Sequence, residues 1–152
     1  MNIRVAAAGD TASLVDFNQA MALETEGKSL DPEILKSGVA AVFLDDKKGF
    51  YVVAEDSSEI VGGLMVTYEW SDWRYAWFWW IQSVYILPEA RGKAIYSRMY
   101  DFVKAKAAES GDVCGFRLYV EEENLHAQKV YEKVGMEGSK YLMYEEKIKN
   151  RD

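Results

Sequence analysis

Val84-Tyr85-Ile86-Leu87-Pro88-Glu89-Ala90-Arg91-Gly92-Lys93-Ala94-Ile95-Tyr96 sets the frame for the whole chain. An apolar strand runs into a Pro-marked bend, a short basic loop of small residues, and then a helix. The first N–H groups of a helix lack internal partners, and its dipole adds partial positive charge there. Gly92 and Ala94 keep side chains out of the way, while Arg91 and Lys93 bring full charges. The stretch reads as a seat for a phosphate.

Around it lies a chain of 152 residues with 49% apolar residues and two prolines, which is the profile of one globular domain with a real core. The formal charge of −7 opposes non-specific nucleic-acid binding and suits a cationic partner. Cys114 is the only cysteine and His126 the only histidine, so neither a disulfide within the chain nor a cysteine-based metal cluster forms. No metal is expected. Cys114, inside the apolar run Val113-Cys114-Gly115-Phe116, is read as a buried, inert thiol. The opening Met1-Asn2-Ile3-Arg4 lacks the apolar stretch of a signal peptide, and no run reaches membrane-spanning length. A cytoplasmic protein without a membrane partner is expected.

In chain order, Ile3–Ala6 reads as a strand. A helix capped by Asp10 or Thr11 follows, with Leu14, Val15, Phe17, Met21 and Leu23 mainly on one face and Gly27 as terminator. Asp31-Pro32-Glu33 opens a second helix carrying Ile34, Leu35, Val39, Val42 and Phe43. From Phe50 the period falls to two. Phe50–Ala54 and Ile60–Glu69 form a hairpin, and Gly62-Gly63 marks a bulge or a close backbone approach. Trp77–Ile86 is apolar on both faces, as a central strand covered by helices would be. A helix from about Ala94, a strand over Phe116–Val120 (starting as early as Val113), a helix capped by Asn124 and closed by Gly135, and a last strand over Lys140–Ile148 complete the order. Strand 84–86, helix and strand 116–120 make a crossover unit, so those strands should be parallel.

This order, with two motif blocks, resembles the GNAT superfamily of acetyl-CoA-dependent N-acetyltransferases over nearly the whole chain. Arg91-Gly92-Lys93-Ala94-Ile95-Tyr96 resembles the family's pyrophosphate signature, which is Gln or Arg, two residues, Gly, one residue, then Gly or Ala. Asn124-Leu125-His126-Ala127, Tyr131 and Gly135 resemble its Asn–x–x–Ala–x–x–x–Tyr–x–x–x–Gly ending. The departures are Ala94, where glycine is usual, and Tyr96, where a small residue is usual. A backbone N–H site tolerates Ala94 if that residue has helical dihedrals, and the Tyr96 ring is expected to turn away from the phosphate path. The resemblance implies a mixed α/β fold, with a mostly antiparallel central sheet, two splayed parallel central strands and helices on both faces.

It also implies roles. The amides from Gly92 through Ala94 and Ile95 to Tyr96 would hold the pyrophosphate of acetyl-CoA, with Arg91 and Lys93 adding charge. The edge of Val84, Tyr85 and Ile86 would pair with the pantetheine arm and polarise the thioester carbonyl, and Asn124 would bond the same arm. Tyr131 would be the general acid for the departing thiolate. An amine with a pKa near ~10 must lose a proton before attack. Several relatives use a Glu on the fourth strand, where this chain has Gln82. Glu69 is then the nearest candidate base, and reads equally well as a solvated strand end. Trp70 or Trp73, beside Glu69 and Asp72, would wall a cationic acceptor pocket. Glu24 and Glu26, in the loop after the first helix, would approach the same pocket.

The acceptor implied is a small-molecule amine such as a polyamine, a diamino acid or an amine-bearing antibiotic. Excess tryptophan and an open strand edge also fit a homodimer. Two rival readings are an acyl-CoA-binding module without activity, with Tyr96 and Gln82 as signs of decay, and an ATP-binding domain. The second lacks the Gly–x–x–x–x–Gly–Lys–Ser/Thr spacing.

Overall fold

Alternating apolar residues build a five-stranded sheet in the order β1-β2-β3-β4-β5, with β1 Asn2–Val5, β2 Phe50–Asp56, β3 Glu59–Ser71, β4 Ala76–Ile86 and β5 Val113–Arg117. The computed structural model describes residues 1–149, which form two compact units, Met1–Leu118 and the stretch from Tyr119 on. The sheet belongs to the first unit. β1 through β4 pair antiparallel, and β4 pairs parallel with β5. The mixed α/β class, the parallel crossover and the mostly antiparallel sheet are as expected.

Helix α1 spans Thr11–Glu26 and ends at Gly27, whose φ of 63° is the left-handed stop that glycine adopts freely. Helix α2, Pro32–Leu44, is capped by the Asp31 carboxylate, which accepts from the amides of Glu33 and Ile34. Helix α3 spans Ile95–Ser110. The adjacent residues Gly62 and Gly63 show how helices cover both faces. A Cβ at Gly63 would meet Leu14 of α1 at 3.2 Å, and one at Gly62 would meet Ile95 of α3 at 3.5 Å. Successive strand residues point to opposite faces, so α1 and α3 lie on opposite sides of the sheet. Leu14, Phe17, Val39, Val42, Tyr51, Val53 and Tyr85 pack on the α1 side.

Five expectations change. The hairpin strands run to Asp56 and from Glu59, because Ser57 and Ser58 both take positive φ, the geometry of a tight two-residue turn. β5 covers Val113–Arg117 rather than reaching Val120. Cys114 is exposed, because it falls where the β4–β5 register slips between the pairs Trp77–Val113 and Phe78–Gly115. Lys140–Ile148 forms no strand. β5 is therefore the edge of the sheet, where a central position was expected.

In the second unit, helix α4 spans Leu125–Lys133 and is capped by Asn124, whose Oδ1 accepts from the Ala127 amide at 3.1 Å. The amide of Met136 closes back on the Tyr131 carbonyl at 3.0 Å after Gly135, whose φ is 102°. Beyond it the alternating pattern of 140–148 has no backbone ladder to support it, and Tyr141, Leu142 and Tyr144 are exposed.

Candidate active site

β4 is paired along one side only in part. β3 follows it from Ala76 to Ile86, whereas β5 follows it only from Trp77 to Trp80. β5 ends at Arg117, opposite Trp80, and beyond that pair the β4 edge has no strand partner among the described residues. Within that open stretch Met65 faces Gln82 and Gly63 faces Tyr85, so Leu64 alone opposes both Ser83 and Val84. This is a bulge, made by Ser83 at φ 52°. Nothing in the residue type of Ser83 announces it. The extra residue keeps Gln82 and Tyr85 on the α1 face, where the Tyr85 ring lies 5.5 Å from Phe17. Leu87 donates its amide to Val61 at 2.9 Å, so the intervening Ile86 turns its own amide and carbonyl to the open side.

The loop after β4 begins with a single 3-10 turn, Pro88–Ala90, and then Arg91, Gly92, Lys93 and Ala94 are all exposed. Gly92 has φ 80°. Ala94 has φ 59° and ψ 29°, the left-handed region, so the condition of right-handed helical dihedrals is not met. A Cβ in that region costs about 1–2 kcal/mol, so the loop holds Ala94 against its preference. α3 then starts with no side-chain cap on its first amides, unlike α2 and α4, which both have one. α1 also lacks a side-chain cap, but only α3 starts beside a cationic loop, the setting that suits an anion. Tyr96 does not intrude on it. Its ring is buried and stacks on Tyr100, one turn further along α3, at 6.0 Å and 8°.

Arg91 is anchored at several points. Its Nε donates to the Ile86 carbonyl at 2.9 Å, a terminal nitrogen donates to Glu24 at 3.1 Å, and the guanidinium lies 5.4 Å from the Tyr85 ring centre. The Tyr85 hydroxyl first, then Arg91, holds the Glu24 carboxyl below the usual carboxylate range. Burial, then Glu24, pushes the Tyr85 phenol up. Thus Glu24 faces the loop that was assigned to the cofactor. Glu26 is exposed and pairs with Lys28 at 3.4 Å.

The other acidic and aromatic candidates lie at the opposite end of β4. Glu69 pairs in register with Phe78, four positions before Gln82, or about 13 Å along the strand. Its carboxylate accepts from the Trp80 indole at 2.8 Å and from Arg117 at 2.9 Å, and these donors, in that order, lower its pKa. A carboxylate so held is a poorer proton acceptor, which favours the strand-end reading over the base. Trp70, Asp72 and Trp73 sit at the hairpin tip, where Trp73 is 89% exposed and Trp70 meets Trp77 edge-on at 4.9 Å. β4 is eleven residues long. At about 3.3 Å per residue, it puts some 33 Å between its ends, so the tip does not share a pocket with Glu24 and Glu26. The strand lengths alone could have given that warning. Gln82 donates to the Thr67 hydroxyl, and both stand on the α1 face.

In the second unit, Tyr131 stands on α4 with its phenol raised by burial. It therefore keeps its proton at neutral pH, as a general acid must.

The site is thus an open strand edge beside a helix start that lacks a side-chain cap. Residues 13–136 match the acetyltransferase (GNAT) family, and the chain belongs to it. It is 26% identical over 140 residues, 90% of each chain, to an uncharacterized N-acetyltransferase, YhfO, of Bacillus subtilis (strain 168). Among solved structures it is similar to a possible acetyltransferase from Clostridium difficile 630, at 42% identity and TM-score 0.90 over 97% of both chains. A predicted acetyltransferase from Clostridium acetobutylicum, solved with acetyl-CoA, shares the fold at 17% identity and TM-score 0.76 over 95% of both chains.

Proposed function

We propose that the protein transfers the acetyl group of acetyl-CoA to the amine of a small cationic acceptor, directly and within a ternary complex. The observation that carries this reading is the open β4 edge after Trp80, which ends beside the uncapped start of α3. The donors suit the ligand: loop and helix amides for the pyrophosphate, Lys93 for its charge, and the Val84–Ile86 edge for the amides of the arm. Acetyl-CoA supplies a thioester carbonyl, and an amide on that edge stabilises the negative charge that develops on it. Asn124 and Tyr131 take the roles their motif implies, as arm ligand and general acid. Deprotonation of the amine runs through water ordered by Gln82 and Tyr85, since Glu69 is committed to Trp80 and Arg117. Exposed Cys114 sits on the paired part of β5, bonded to the Trp77 carbonyl, and takes no acetyl group. The net charge of −7 supports a cationic acceptor.

A thiol-release assay with acetyl-CoA against polyamines, amino acids, aminoglycosides and N-terminal peptides tests the reading. Release is expected with at least one amine. Tyr131→Phe should then lower kcat by about 10²-fold, the lower end of what a positioned acid supplies. Full activity in that variant would remove Tyr131 from the mechanism. Tight acetyl-CoA binding without release for any amine would favour the binding module instead.

A further inference from the structure

The resemblance places Glu24 with the acceptor amine, whereas its contacts point at the cofactor loop. We propose that Glu24 is a positioning residue for acetyl-CoA, fastening the phosphate loop to α1 and β4 through Arg91 and Tyr85. This rests on the reading that the chain binds acetyl-CoA.

Arg91 has a planar fork of donors, and its placement follows from what fills that fork. Nε caps the Ile86 carbonyl, the last acceptor of the open edge, at 2.9 Å. The terminal nitrogen reaches Glu24 at 3.1 Å, and the guanidinium lies over the Tyr85 ring. Phe17 backs that ring from within α1, at 5.5 Å between ring centres. Through Arg91 the carboxylate therefore joins three elements that share no backbone ladder at this point: the last turn of α1, the end of β4, and the loop. Gly92 and the strained Ala94 lie within three residues after Arg91, so its position constrains where their amides point. A loop whose own torsions are permissive or unfavourable needs such an outside tie to present its amides in one geometry.

Two effects of Glu24 oppose each other. Its charge repels a phosphate nearby, and its bonds hold the loop. Both Glu24 and Arg91 are about half exposed, with side chains 40% and 48% accessible, so solvent screens the repulsion strongly. The geometric effect should win, and the amide variant separates the two.

Titration calorimetry of the full chain with acetyl-CoA gives the test and needs no acceptor. Glu24→Ala should weaken binding by about 3- to 10-fold, the loss of one or two net hydrogen bonds. Glu24→Gln, which keeps acceptor and shape but no charge, should stay within about 2-fold of wild type. In the Arg91→Met background, Glu24→Ala should cost little more, because the tie is already cut. Thermal melts of each variant without ligand show that it is folded. Unchanged binding in Glu24→Ala, or tighter binding in both Glu24 variants, would overturn the inference while leaving the acetyltransferase reading intact. A wild-type chain that does not bind acetyl-CoA would overturn both.

Discussion

The two ends of β4 each carry a carboxylate held by an arginine, and the two pairs are nearly equal in geometry. Glu69 meets Arg117 at 2.9 Å, and Glu24 meets Arg91 at 3.1 Å. Both carboxylates have lowered pKa values, and in both the largest cause is a neutral donor, Trp80 or Tyr85, rather than the arginine. The difference lies in what the pairs join. Glu69 on β3 reaches Arg117 on β5 across β4, which the backbone ladders already hold together. Glu24 joins a helix to a loop. A polar tie laid over a ladder adds a little stability, while the same tie between elements without a ladder sets a geometry. Place relative to the backbone, rather than bond length, decides which role a pair has.

The sharpest way to stress the hairpin end is Gly115→Ala. Its Cβ would stand 2.9 Å from Cε1 of Phe78, and that ring cannot swing aside freely because the Arg117 guanidinium covers it at 3.5 Å. Overpacking of this kind costs about 1–3 kcal/mol. Denaturant unfolding should show that loss in the midpoint with an unchanged slope, and a midpoint equal to wild type would mean the ring yields.

Arg117→Met should cost less, about 1 kcal/mol or below, because the pair is partly exposed. Acetyl-CoA affinity should stay unchanged, the reverse of the Glu24→Ala outcome; a several-fold loss of affinity here would erase the distinction between the two ends. The pH dependence has a definite sign. Glu69 has a depressed folded pKa, so its contribution is complete above the ordinary carboxylate range and fades as pH falls through the folded value. Arg117→Met should therefore narrow the stability gap between neutral and acidic solution.

How much of this was readable in advance varies with the kind of signal. The crossover β4–α3–β5 was legible because strand and helix periods differ and Gly111, at φ 81°, stops α3 where its pattern ends. The loop into α3 was legible from small residues before a helix. The bulge at Ser83 was not, since it arises from how β4 fits β3 and any short residue would serve. Nor was the tie from Glu24 to Arg91, two residues 67 positions apart, because a charge at the end of an amphipathic helix looks solvated until the loop is placed beside it. The pattern of 140–148 did read as a strand, but alternation states only which face each residue would take. A strand also needs an edge to pair with, and the sequence carries no mark of that.

Ala94 offers the smallest and most discriminating test of the loop end. Ala94→Gly relieves about 1–2 kcal/mol of left-handed strain. Against that, glycine loosens the unfolded chain by about 0.4–1 kcal/mol. The net should be a gain of about 0.5 kcal/mol, read as a rise in melting temperature. The outcome for acetyl-CoA affinity tells more. If the outside tie through Arg91 fixes the loop, removing the strain changes affinity by less than about 2-fold, because Glu24 still holds the amides in place. If affinity instead falls several-fold, then the stiffness of the Ala94 backbone itself was holding the loop. In that case the comparison between the two ends of β4 would have to be redrawn around torsion rather than around the ion pair.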